Sequence, residues 1–167
     1  MNTIVDYNYE LLGIEYHRMQ LLRLFERFCL DMKKASFSSK VRHFYRVTPD
    51  SISTTKSLFL SEYDSKLDDS DATQMTAWIF AHLKKKPTRK ALTNDLKIKL
   101  YNIQKGKCNI CGCALGNDYS NIHVDHIIPW VLVGDELENN YQDLCKDCNL
   151  RKNKQIDYYY KKLVKLV

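Results

Sequence analysis

The sequence predicts an α+β chain that is mostly helical. N-terminal helices over residues 1–100 are followed, over 101–167, by a compact core of short strands and turns and by a closing C-terminal helix. Three observations predict it. Apolar residues recur at steps of three and four through most of the first hundred positions, as one face of a helix requires. After Gly106 that pattern gives way to cysteines and turn formers. From Lys146 the helical spacing returns and runs to the last residue.

Each element has its own warrant. Over residues 8–33, Leu12, Tyr16, Met19, Leu22, Phe25, Cys29 and Met32 trace a long amphipathic helix, with Cys29 a small buried hydrophobe on its stripe. Residues 36–70 are rich in Ser, Thr and Asp and read as loops, with a short helix near Thr55–Tyr63. A second helix is expected at 71–85, where Met75, Trp78, Ile79, His82 and Leu83 share a face; His82 there reads as a core or boundary histidine. Pro87 breaks the pattern. A third helix at 89–104 runs through Leu92, Leu96, Leu100 and Ile103 and is ended by Gly106. Residues 121–126 read as a strand. Ile156, Tyr160, Leu163 and Val167 carry the last helix to the end.

Composition narrows the functional classes. Of the 167 residues, 44% are apolar, enough for a core and too many for global disorder. The formal charge of +6 suits a phosphate-rich partner without singling one out. No apolar run approaches the ~20 residues of a membrane span. The N-terminus, MNTIVDYNYE, lacks the basic region and apolar core of a secretory signal. A cytoplasmic protein is therefore expected, and in that compartment six cysteines point to metal more often than to disulfides.

Four of those cysteines form two C-x2-C pairs, Cys108 with Cys111 and Cys145 with Cys148. Two such pairs complete a tetrahedral four-thiolate site, which suits zinc, with iron the main competitor. A site closed by four thiolates leaves no open position, so this metal is expected to brace the fold rather than react. Cys113 either replaces Cys111 as a ligand or is a small packing residue.

Between the pairs lie Asn121-Ile-His-Val-Asp-His-Ile-Ile-Pro129 and Asn139-Asn140-Tyr-Gln-Asp-Leu-Cys145, followed by Cys148-Asn149-Leu-Arg-Lys152-Asn-Lys154. Side chains alternate along a strand, so Asp125 and His126 point differently and can take different roles. Asp125 offers a hard oxygen suited to magnesium or manganese. His126 offers an imidazole that is neutral near pH 7 and able to deprotonate water. Asn149, at the start of the last helix, offers a second, neutral oxygen. His123 shares a strand face with Asp125 and reads as a structural histidine, a further ligand or a substrate contact. Lys152, with Arg151 and Lys154, lies on a basic helix face that can meet phosphates. The run Lys84-Lys85-Lys86-Pro-Thr-Arg-Lys90 reads equally as a contact to a nucleic-acid backbone or as solvated charge.

Over residues 101–154 these strings resemble the HNH (ββα-metal) endonuclease motif of the subgroup braced by a four-cysteine zinc site. The resemblance implies a zinc-braced ββα-metal core that hydrolyses DNA phosphodiester bonds, duplex DNA being the expected substrate. It implies Asp125 and Asn149 as ligands of a catalytic magnesium or manganese ion, and His126 as general base. It implies that Asn140 braces the histidine-bearing loop through backbone hydrogen bonds. The glycines often seen before that asparagine are reduced to Gly134, and the loop 130–138 is acidic, which bears on the loop's shape. Residues 1–100 carry no resemblance and read as core, or as a surface for DNA, a homodimer or a targeting subunit. A restriction or anti-phage defence enzyme is the expected context, with a mobile-element nuclease close behind. The competing reading is a zinc-ribbon module that binds nucleic acid or a protein partner without cutting; it has no need of Asp125, His126 and Asn149.

Overall fold

The computed structural model describes residues 16–84, 88–137 and 139–153. Four helices come first: α1 (Tyr16–Asp31), α2 (Ala35–Val47), α3 (Ser51–Tyr63) and α4 (Asp69–Leu83). After a linker comes α5 (Asn94–Ile103), then β1 (His123–His126), a single-turn α6 (Trp130–Val133), β2 (Tyr141–Leu144) and α7 (Lys146–Lys152). The described chain is thus a mostly helical α+β fold.

The N-terminal core follows from the spacing of apolar residues. Met19, Leu22, Phe25, Phe28 and Cys29 of α1 are buried against Met75, Trp78 and Ile79 of α4 and Leu58 and Phe59 of α3. Aromatic rings dominate: the Phe25 and Trp78 centroids lie 5.5 Å apart, and those of Phe28 and Phe59 5.8 Å. His82 sits at the edge of this cluster, its Nδ1 2.8 Å from the Leu132 carbonyl oxygen.

Two full helices occupy the segment expected to be loops with one short helix near Thr55–Tyr63: α2 was not expected, and α3 contains the expected helix but starts earlier, at Ser51. The Ser, Thr and Asp content misled because these residues serve the helices. Asp50 caps α3, accepting from the N–H groups of Ile52 and Ser53. Thr55 and Thr76 hydroxyls donate back to the carbonyls of Ser51 and Ala72, and the two hydroxyls meet across α3 and α4 at 2.6 Å. The helix expected at 89–104 starts later, at Asn94, because the Thr93 side chain accepts from Leu96 N–H and sets the cap. It stops at Ile103, and the chain reverses at Gly106, whose φ is +67°. A Cβ there would lie 2.8 Å from the Tyr101 hydroxyl, so glycine is required for space as well as conformation. The first residues of the helix expected at 8–33, and Ile156, Tyr160, Leu163 and Val167, lie outside the described residues.

The two strands pair antiparallel, with His123 opposite Leu144, Val124 opposite Asp143, Asp125 opposite Gln142 and His126 opposite Tyr141. Helix α7 packs against β1, α5 against β2, and α6 against α4. One hydrophobic cluster runs from α1 through α4 to Ile110, Ile128, Val133 and Leu144, so the helices and the small sheet share a core.

Candidate active site and metal centre

Three of the four cysteines expected to hold zinc, Cys108, Cys111 and Cys145, come together with Cys113, while Cys148 adjoins them. Cys108 opens a tight turn in which its N–H donates to the Cys113 carbonyl and Gly112 N–H donates back to the Cys108 carbonyl, both at 2.9 Å. Cys145 caps α7, its sulfur accepting from Cys148 N–H. The sulfurs of Cys108, Cys111, Cys113 and Cys145 all lie within 4.8 Å of one another. Cys148 adjoins the same group: burial, then the Cys108 sulfur, pushes its thiol up. Burial, followed by Cys111 and Cys145, pushes the Cys113 thiol up to about 12. Thiols crowded in this way release their protons readily only to a cation set among them. Four sulfurs therefore lie close enough together to share one ion, with Cys148 next to them, and Cys113 stands inside the cluster rather than beside it.

An open pocket of about 650 Å³ is lined by Asp125, His126 and Asn149 together with Arg89 and Trp130. The end of β1 supplies the first two residues and the start of α7 the third. Both oxygen donors, Asp125 and Asn149, face this one space, and a carboxylate with an amide suits a hard divalent ion. His123 shares the Asp125 face of β1 but does not line the pocket.

The imidazole of His126 is 1% exposed and held at both nitrogens. Nε2 lies 3.1 Å from Asp135 Oδ1, and Nδ1 lies 3.2 Å from Arg89 Nη2. A guanidinium only donates and a carboxylate only accepts, so the ring carries its proton on Nε2 and its lone pair on Nδ1. Burial, the largest influence, lowers the His126 pKa; the Asp135 hydrogen bond opposes it and the Arg89 charge adds to it. The lowered pKa favours the neutral ring, and His126 lines the pocket.

Asp135 is the hub behind the histidine. It also accepts from Trp130 Nε1–H, Tyr141 O–H and Lys90 N–H, at 2.9, 3.1 and 3.1 Å. Burial works to raise its pKa, but these donors, led by Lys90 N–H, outweigh it and bring it down to about 2. Asn140 clasps the turn after β1: its side chain accepts from Ile128 N–H at 2.7 Å and donates to the Ile128 carbonyl at 2.8 Å.

The basic residues divide. Lys152 was expected on a phosphate-facing surface, and its placement corrects that: the side chain is fully buried, donating to the His126 carbonyl at 2.7 Å and pairing with Asp125 Oδ2 at 2.8 Å. Its long stem passes beneath β1 because α7 packs on that strand. Arg151 is exposed on α7. Lys84 is exposed and pairs with Glu136 at 2.6 Å. Lys85, Lys86 and Lys154 lie outside the described residues. Sequence reasoning missed Asp135 and Arg89. The first was hidden in a loop noted only as acidic, the second in a run noted only as basic; a lone aspartate nine positions beyond a strand-end histidine was the available signal.

A strand-end histidine thus lies beside Asp125 and the helix-borne Asn149, in the same small region as a cysteine cluster that could hold a metal ion. Residues 108–164 match the family model of the HNH endonucleases, so this segment is an HNH endonuclease domain. No curated protein and no solved structure matches the chain. Among the described residues no helix is long and apolar enough to cross a membrane.

Proposed function

We propose that this chain is a metal-dependent endonuclease that hydrolyses DNA phosphodiester bonds, with His126 as the general base. The observation that carries the reading is the His126 ring, which lines the pocket shared by Asp125 and Asn149 while the Asp135 carboxylate meets its far nitrogen. A water between Nδ1 and a bound phosphodiester gives its proton to Nδ1 as its oxygen bonds to phosphorus; the leaving oxygen departs with the electron pair of the broken bond and takes a proton from solvent. Asp125 and Asn149 would hold a magnesium or manganese ion, which supplies charge stabilisation at the phosphoryl oxygens when bound. Lys152 holds the carboxylate of Asp125 from behind, and Asn140 fixes the turn that follows His126. A zinc held by Cys108, Cys111, Cys145 and Cys148, with Cys113 adjacent, braces the start of α7. The +6 charge suits duplex DNA, and a restriction, anti-phage or mobile-element role is the context this chemistry fits, alone, as a homodimer or with a targeting subunit.

Plasmid cleavage across a magnesium and manganese titration tests the reading. His126→Ala is expected to lower the rate by ~10²–10⁴ with zinc content and circular dichroism unchanged. Asp125→Ala is expected to lose activity that higher metal partly restores, and Asn149→Ala to show the same in milder form. A His126→Ala protein that cuts at the wild-type rate would make the non-cutting zinc-ribbon module the better reading.

A further inference from the structure

Arg89 lies in the linker between α4 and α5, nineteen residues before the HNH-matched segment begins at 108. Arg89 is an exposed residue that lines the pocket, and its guanidinium lies 3.2 Å from Nδ1 of His126. The linker is anchored next door, where Lys90 N–H donates to the same Asp135 carboxylate that orients the histidine. Among the described residues that line the pocket, Arg89 is the one cation. The other positive charge near the site, Lys152, is buried between the His126 carbonyl and Asp125 and cannot reach a substrate.

We propose that Arg89 is a catalytic residue that caps the His126 base nitrogen at rest and transfers to the scissile phosphate when DNA binds. The proposal rests on His126 being the base. Nδ1 cannot take a proton from water while a guanidinium donates to it. A neutral imidazole is a weak acceptor for an arginine, and a phosphodiester oxygen, which is anionic and matches the planar fork, is a much stronger one. An arriving phosphate therefore draws the guanidinium away. The same movement uncovers the lone pair and places a fixed cation where negative charge grows on the phosphoryl oxygens.

The test compares wild type with Arg89→Ala, Arg89→Lys and His126→Ala on supercoiled plasmid in magnesium, reading kcat and KM separately, with thermal melting as the folding control. Arg89→Ala is expected to lower kcat by ~10²–10³, the usual loss when one fixed transition-state donor is removed, while KM moves by less than about threefold. Added guanidinium chloride at millimolar concentration should restore part of the Arg89→Ala rate and none of the His126→Ala rate. Arg89→Lys, which keeps the charge but loses the fork, should fall between. An Arg89→Ala kcat within about twofold of wild type, alongside an inactive His126→Ala, would overturn the role of Arg89 alone. A loss confined to KM with no guanidinium rescue would overturn it as well. An active His126→Ala would instead remove the reading of the site beneath it.

Discussion

Removing the Lys152 ammonium would leave the Asp125 carboxylate half-buried beside a strand with no cation to meet it. Breaking a buried pair from one side costs about 3 kcal/mol or more, and Asp125 keeps some solvent, so Lys152→Ala is expected to destabilise the fold by about 2 kcal/mol. The measurement is urea unfolding of the variant, and DNA affinity should change far less than stability. A variant of wild-type stability that binds DNA weakly would return Lys152 to the surface role its sequence suggested. From the sequence alone Lys152 and Arg151 are neighbours in one basic run, and nothing in their spacing says which goes in. The packing of α7 on β1 decides, by sending one stem beneath the strand and the other to water.

The elements differ in how openly the sequence declared them. Helices α1 and α4 were legible because their apolar stripes are long and regular, and β1 because Val124, Asp125 and His126 sit in a recognisable string. Helix α2 was not, and α3 was legible only from Thr55 on, since their hydroxyls and acids speak for turns until the caps at Asp50 and the paired Thr55 and Thr76 are seen. The turn from β1 through α6 to β2 hid most of all. Its organising residue, Asp135, has partners scattered from Lys90 to Tyr141, and no local pattern encodes contacts of that range. That carboxylate also gives the turn a pH signature. Its folded pKa of about 2 lies below the ordinary 3.8, so its contribution is present above pH ~4 and is lost as pH falls toward 2. The groups facing it are His126, Tyr141, Trp130 and the Lys90 amide. Asp135→Asn should therefore lower stability by on the order of 2 kcal/mol at neutral pH, with the gap to wild type closing between pH 4 and 2. Melting curves across that range are the check, and a gap that does not narrow would show that the hydrogen bonds do not depend on the charge.

At the scale of the whole molecule the cysteine cluster ties the turn at 108–113 to the start of α7, alongside the hydrogen bonds from Asn109 to Gln142 and Asp143 of β2. Chelation is therefore expected to unfold the region around α7 and take Asn149 out of the pocket, because metal binding there is folding free energy. Elemental analysis should find about one zinc per chain. Cys148→Ser should lose it and Cys113→Ser keep it; the reverse result would make Cys113 the fourth ligand. The shared core has a different bearing, on portability. A recombinant graft of residues 101–153 onto a foreign carrier would transplant Asp125, His126 and Asn149 intact. It would leave behind the His82 ring that holds the Leu132 carbonyl, the Lys90 amide that steadies Asp135, and the Arg89 side chain at the base nitrogen. Shuffling the HNH-matched segment between proteins without α4 and its linker is therefore expected to deliver the signature and strand the scaffolding.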